Sequence, residues 1–135
     1  TGLVVVTTPE EMPVGETLEL LDAVERETTV DPAAVVVNRV LPERFAGKDE
    51  RVFSKLAKKS GRAALEAAAG AGTNAVVDAA QLATALRRGR AAHLETLRSG
   101  LPSGVPLLLV PELFSRNDGL RATRQIALHL GEELG

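Results

Sequence analysis

An asparagine placed directly after a run of apolar residues is the most informative chemical group in this sequence. Ala34-Val35-Val36-Val37 has no polar interruption, as in a strand covered on both faces, and Asn38 follows where that strand should leave its sheet. The asparagine amide sets an acceptor and a donor side by side. That pair matches the N6 amine and N7 of adenine, so Asn38 at a strand end is a candidate base reader able to tell adenine from guanine. The competing reading is an amide that satisfies backbone groups in a turn. A second group, Val110-Pro111-Glu112-Leu113, follows a later apolar run in the same way. Pro111 fixes the local turn and presents a flat apolar ring, which makes Pro111, Glu112 and Leu113 candidates for the wall of a base site. A proline in that position also simply ends a strand.

The remaining polar groups point less clearly to chemistry. Gly70-Ala71-Gly72-Thr73-Asn74 before a helix has the look of a phosphate-binding turn, but it lacks a lysine and follows no strand, so an interhelical turn is the simpler reading. His93 and His129 fall in expected helices with no carboxylate or histidine at ligand spacing, and read as structural or surface residues. Arg87, Arg88 and Arg90 cluster on what reads as the outside of a helix, a solvated face that an acidic partner could also contact. Glu10 and Glu11 would act as general bases only inside a pocket; at the start of a helix they favour its positive end. No Gly-x-x-x-x-Gly-Lys-[Ser/Thr] loop occurs, so phosphate cradling, magnesium binding and hydrolysis are not supplied by this chain.

Positioning Asn38 and Pro111 requires strands, and the apolar patterning supplies them. Leu3 to Thr8 reads as a first buried strand ended by Pro9. From about Val14, the residues Val14, Leu18, Leu21 and Val24 recur at helical spacing, and this helix ends before Thr28. Asp31-Pro32 turns the chain into the Ala34 strand, completing a βαβ unit with parallel strands and a right-handed crossover. After a loop from Arg44 to Asp49, two helices are expected, Asp49 to Gly70 and Asn74 to Ser99. Val76, Ala80, Ala83, Leu86, Leu94 and Leu97 form the expected core stripe of the second, and alanine-rich faces suggest a helical hairpin against the sheet. Val105 to Val110 is the third strand. Asp118 can cap a last helix whose apolar face is Leu120, Ile126, Ala127, Leu130 and Leu134.

Composition bounds the partners. The chain of 135 residues is 44% hydrophobic, enough for one core, yet holds only three aromatic residues (Phe45, Phe53 and Phe114), so stacking platforms for single-stranded nucleic acid are scarce. A net charge of -2 and the lack of a basic run give no sign of nucleic acid or anionic lipid as partner. Cysteine is absent, which removes disulfides and thiolate metal sites. No apolar run approaches the roughly 20 residues of a membrane span, so direct membrane insertion is not expected; the lack of cysteine leaves the redox compartment open, with a cytoplasmic location the default. A first residue of Thr1 followed at once by a strand reads as a chain cut inside a larger protein, whose sheet would then show an apolar open edge.

Taken together, Val5-Val6-Thr7-Thr8-Pro9-Glu10 with the Gly15-Glu16-Thr17 helix start, Val35-Val36-Val37-Asn38-Arg39-Val40-Leu41-Pro42, and Val105-Pro106-Leu107-Leu108-Leu109-Val110-Pro111-Glu112 with Gly119 and a closing helix resemble the carboxyl-terminal part of ArsA/Get3-like anion-transporting ATPases, within the MinD/ParA-type deviant P-loop ATPases. The resemblance covers residues 1–44 and 103–134 and leaves the middle uncovered. It implies a partial P-loop NTPase fold, Rossmann-like and three-layered, with an α/β core from 1–44 and 103–135 and a helical insertion over 49–99. It implies that Asn38 bonds the adenine, that Pro111, Glu112 and Leu113 line the base, and that ATP and magnesium belong to a parent enzyme, with no catalytic or metal residue in this chain. The same resemblance implies a homodimer or paired ATPase subunit and a membrane-protein or transporter partner. The zinc-clamping Cys-x-x-Cys of relatives that target tail-anchored proteins is missing. A nucleotide-free interaction module on the same scaffold is the alternative.

Overall fold

The apolar runs of the sequence pair as one parallel sheet in a computed structural model that describes residues 1–43, 48–113 and 119–135. Its strands are β1 (Gly2–Thr7), β2 (Asp31–Val40) and β3 (Leu107–Pro111), in the order β1-β2-β3. Among the described residues four helices fill the connections, α1 (Glu11–Glu27), α2 (Lys48–Leu56), α3 (Lys59–Ala69) and α4 (Thr73–Gly100), and α5 (Leu120–Leu134) follows β3. The result is a small α/β domain with helices on both faces of a three-stranded sheet. The chain divides into two units, one of Thr1–Pro42 with Arg90–Gly135 and one of Glu43–Gly89.

In the sheet unit, β2 is central and its side chains alternate between two covers. Val35 and Val37 have no exposed surface and pack with Val5 of β1, Val14 and Leu21 of α1, and Leu97 of α4. Ala34, Leu108 and Val110 are buried on the opposite side, where α5 lies against β3. That second cover does not reach β1. Val4 and Val6 stay 53% and 65% exposed, so β1, one of the two edge strands, carries an uncovered apolar face on that side.

Helix α1 starts three residues before Val14, because Pro13 falls in the first turn, where a missing backbone donor costs nothing. Strand β2 likewise begins earlier than expected, at Asp31, with Gly2 opposite it. The expected cap at Asp118 and the loop residues Arg44 to Gly47 lie outside the described residues.

Three features of the helices differ from the sequence reading. The expected helix from Asp49 to Gly70 is two helices, because α3 folds back tightly on the end of α2. A Cβ on Gly61 would sit 2.6 Å from the Lys55 carbonyl oxygen and 2.7 Å from the Leu56 backbone, and the Arg62 Nε donates to the Ala57 carbonyl at 3.0 Å. The core stripe of α4 holds in part: of the expected residues Leu97 is buried and Ala80, Ala83 and Leu94 are half-buried, but Val76 and Leu86 are 68% and 51% exposed and Val77, next to Val76, is buried instead. Within the sheet unit, Arg90 to Ser99 belong with the sheet, not with a helical insertion, since Leu94 and Leu97 pack into its core. On α5, Leu120 and Leu134 are exposed; Ile126 and Leu130 are the half-buried members of the expected face.

Two substitution pairs test this packing. Leu97→Ala should destabilise the sheet unit by about 2–5 kcal/mol in urea unfolding, whereas Val76→Ala should stay within about 0.5 kcal/mol of wild type. Gly61→Ala should cost about 1–3 kcal/mol, visible as faster amide exchange in α2 and α3, because the new methyl meets backbone. Gly100→Ala meets only the Leu18 side chain, which can move, and should cost less.

Candidate functional site

The carboxyl ends of parallel strands are where an open α/β sheet offers its binding crevice, and here β2 is irregular at that end. Val37 pairs with Leu109, but the next pair is Val40 with Pro111, so three steps along β2 match two along β3. The extra residue makes a bulge at Asn38-Arg39. Arg39 takes φ 61, a left-handed conformation that β-carbon-bearing residues rarely adopt, and it is the one such non-glycine among the described residues. The Arg39 N–H donates to the Asn38 Oδ1 at 2.9 Å. Part of the Asn38 acceptor capacity therefore serves the backbone, as the turn reading held, and its Nδ2 donors remain for a ligand.

Asn38 is half-buried and lines a crevice of about 360 Å³ with Val5, Val6, Thr7, Thr8, Pro13, Glu16, Thr17 and Leu20. That volume is at the small end for organic ligands. Its floor is rigid for a simple reason: the hydroxyls of buried Thr7 and Thr17 both donate to the Pro13 carbonyl, at 3.1 and 2.7 Å, tying the end of β1 to the first turn of α1. Thr17 escapes the sequence reading because it looks like any polar residue on a helix. Only its return to Pro13, one turn back, gives it a place in the site.

Pro111, Glu112 and Leu113 do not line this crevice. They run on the β3 side of the bulge, where the Glu112 N–H donates to the Val40 carbonyl at 2.9 Å and its carboxylate accepts from the Arg39 Nε at 2.8 Å. The Glu112 carboxylate, first through that hydrogen bond and then through its charge, holds the Arg39 guanidinium above its usual range. A raised arginine keeps its proton through neutral pH and beyond, so arginine titration does not break this pair. The structure thus places the two sequence candidates on either side of one bulge, Asn38 in the crevice and Glu112 bracing its back.

The other candidates resolve as structural groups. Gly70, at φ 92, ends α3; Thr73 Oγ1 donates to the Gly70 carbonyl at 2.6 Å and Asn74 Nδ2 to Glu66 at 2.9 Å, so this is an interhelical turn. His129 Nδ1 lies 3.6 Å from the Glu132 carboxylate one turn on, a neighbour the sequence reading did not credit. Glu10 is the residue before α1 and makes no side-chain cap; its carboxylate instead pairs with Arg90 at 3.1 Å. Arg87, Arg88 and Arg90 of α4 are not one solvated cluster. Arg87 pairs with Glu43 at 3.4 Å, Arg88 with Glu50, and Arg90 is only 24% exposed.

No protein-family model matches the chain, and no curated protein matches it either.

The left-handed turn gives a direct test. Arg39→Gly should keep the bulge and leave the thermal midpoint nearly unchanged, because glycine adopts φ 61 without strain and the lost ion pair is exposed. Arg39→Val should lower the midpoint and shift the amide resonances of Asn38 and Val40, since a β-branched residue resists that conformation.

Proposed function

We propose that this chain is the adenine-side, carboxyl-terminal part of an ArsA-like ATPase, in which Asn38 reads the base. In this reading the parent protein couples ATP binding and hydrolysis to the transport or targeting of a partner, and works as a homodimer or paired subunit. The observation that supports it is the half-buried Asn38 amide in a crevice at the carboxyl ends of β1 and β2, at a bulge that turns the strand aside. The resemblance of the three strand-end segments to such ATPases gives the reading its chemistry. An adenine edge needs one acceptor and one donor; Asn38 offers Nδ2–H to N7 and the second lone pair of Oδ1 to the N6 amine.

Phosphate and metal chemistry have no counterpart in these residues. Among the described residues no three His, Asp or Glu side chains gather as a metal site, and the sequence has no lysine-bearing glycine loop. In this reading the chain binds and orients the base, and hydrolysis belongs to the parent protein. Among the described residues no helix is long and apolar enough to cross a membrane. A membrane-protein or transporter partner in this proposal is met through a protein surface.

One observation favours the second reading, a nucleotide-free interaction module. Ala75, Ala79, Leu82 and Leu86 recur at helical spacing along α4 and are all exposed, as is Val76, giving an apolar stripe of the kind that docks in a partner's groove. Base reading and docking separate cleanly by experiment. In the parent protein, Asn38→Ala should weaken ATP binding about tenfold, the 1–3 kcal/mol of a paired base contact, and narrow the preference for ATP over GTP. Unchanged affinity and unchanged preference would remove the adenine reading and leave the docking one.

A further inference from the structure

The crevice at the carboxyl end of the sheet has two walls that the sheet itself does not join. One wall is the end of β1, with Thr7 and Thr8, whose chain continues to Glu10 just outside the lining; the other is Asn38 of β2, followed by Arg39, also outside the lining. Pairing between these strands stops at Thr7 and Val37. Beyond that point no ladder bond fixes the distance between the walls. Arg90 of α4 reaches the chain just beyond each wall. Its Nη2 donates to the Glu10 carboxylate at 3.1 Å and its Nη1 to the Arg39 carbonyl at 3.4 Å.

We infer that Arg90 is a positioning residue that sets the spacing of these walls and thereby the presentation of the Asn38 amide; its ligand-binding consequence rests on the adenine reading, and its structural part does not. A guanidinium is planar, with its two terminal nitrogens at a fixed separation, so one side chain holds both walls as a rigid strut. The base of the strut is itself held. Leu94 and Leu97, one and two turns further along α4, pack into the core of the same unit, and Leu97 has no exposed surface. The load on the strut is the left-handed Arg39 backbone, whose N–H is held by Asn38 and whose carbonyl is held by Arg90. Release of the carbonyl lets the peptide after Arg39 turn, and the Asn38 side chain bonded to the preceding N–H turns with it.

The test uses the 135-residue chain and adenosine as probe. Arg90→Met keeps the aliphatic stem and removes both bonds; it should speed exchange of the Arg39 amide, shift the Asn38 side-chain NH₂ resonances and weaken adenosine binding about tenfold. Arg90→Lys keeps the charge beside Glu10 but cannot span both walls, and should recover only part of the loss. In an Asn38→Ala background, Arg90→Met should cause no further loss of adenosine affinity; additive losses would overturn action through Asn38. A folded Arg90→Met chain with wild-type Arg39 exchange and wild-type Asn38 resonances would overturn the inference outright. Should Arg90→Met fail to fold, Glu10→Ala frees the strut at its exposed end and leaves the Arg39 carbonyl on an untethered guanidinium; smaller shifts of the same kind are expected, and wild-type Arg39 exchange and Asn38 resonances would overturn the inference. Absence of adenosine binding to the wild-type chain would count against the adenine reading, and the exchange and resonance shifts would still decide the role of Arg90.

Discussion

A parallel sheet cannot join its own strands with tight turns, and its central strand must be covered on both faces; the architecture of this chain follows from how β2 meets that demand. Val35 and Val37 are sealed by α1 and the last turns of α4, and Ala34 is buried on the opposite face, the side that α5 covers over β3. Each connecting segment therefore has to be a helix with an apolar stripe, and each strand end is delivered to the same side of the sheet. The crevice exists because of that constraint. Its walls are the places where strands stop and helices begin.

Polar groups at this end of the sheet are paired in a way that converts loose strand ends into a defined shape. Thr7 and Thr17 meet on the Pro13 carbonyl, Arg39 meets Glu112, and Arg90 meets both Glu10 and the Arg39 carbonyl. The ion pairs are exposed or half-exposed, so each contributes little to stability by itself. Their effect is geometric. They hold a left-handed residue next to the one asparagine that faces the crevice, and backbone strain of this kind persists only where surrounding contacts fix it.

The helical unit of Glu43–Gly89 is built by different means. It has few buried residues; α2 and α3 have none, the contact between them depends on the missing Cβ of Gly61 and on the Arg62 bond to the Ala57 carbonyl, and Arg62 also pairs with Asp78 of α4 at 2.7 Å. Apolar residues at helical spacing remain outside on α4. A helix that is apolar around more than one face has more surface to bury than its own unit provides, which is why the docking reading draws on this helix and the base reading on the sheet.

The sequence by itself determined the strand identities, their parallel arrangement and the position of Asn38 near the carboxyl end of β2, although the strand runs on past Asn38 to Val40. These follow from uninterrupted β-branched runs, which have one stable use, and from the helix-length segments between them. It also contained the interhelical nature of the Gly70 turn, since no strand precedes it. Three matters were decided only in the tertiary structure. The break between α2 and α3 depends on a close backbone approach at Gly61, which no local propensity encodes. On α4 the expected Leu94 and Leu97 do pack, but Val77 is buried where Val76 was expected, because alanine-rich helices have several nearly equivalent apolar stripes and packing selects among them. The bulge at Arg39, and the arrival of Arg90 and Glu112 on either side of it, join residues 51 and 73 positions apart in the chain. Periodicity reports which face a residue occupies within its own element; only packing brings the ends of separate elements to the same few ångströms.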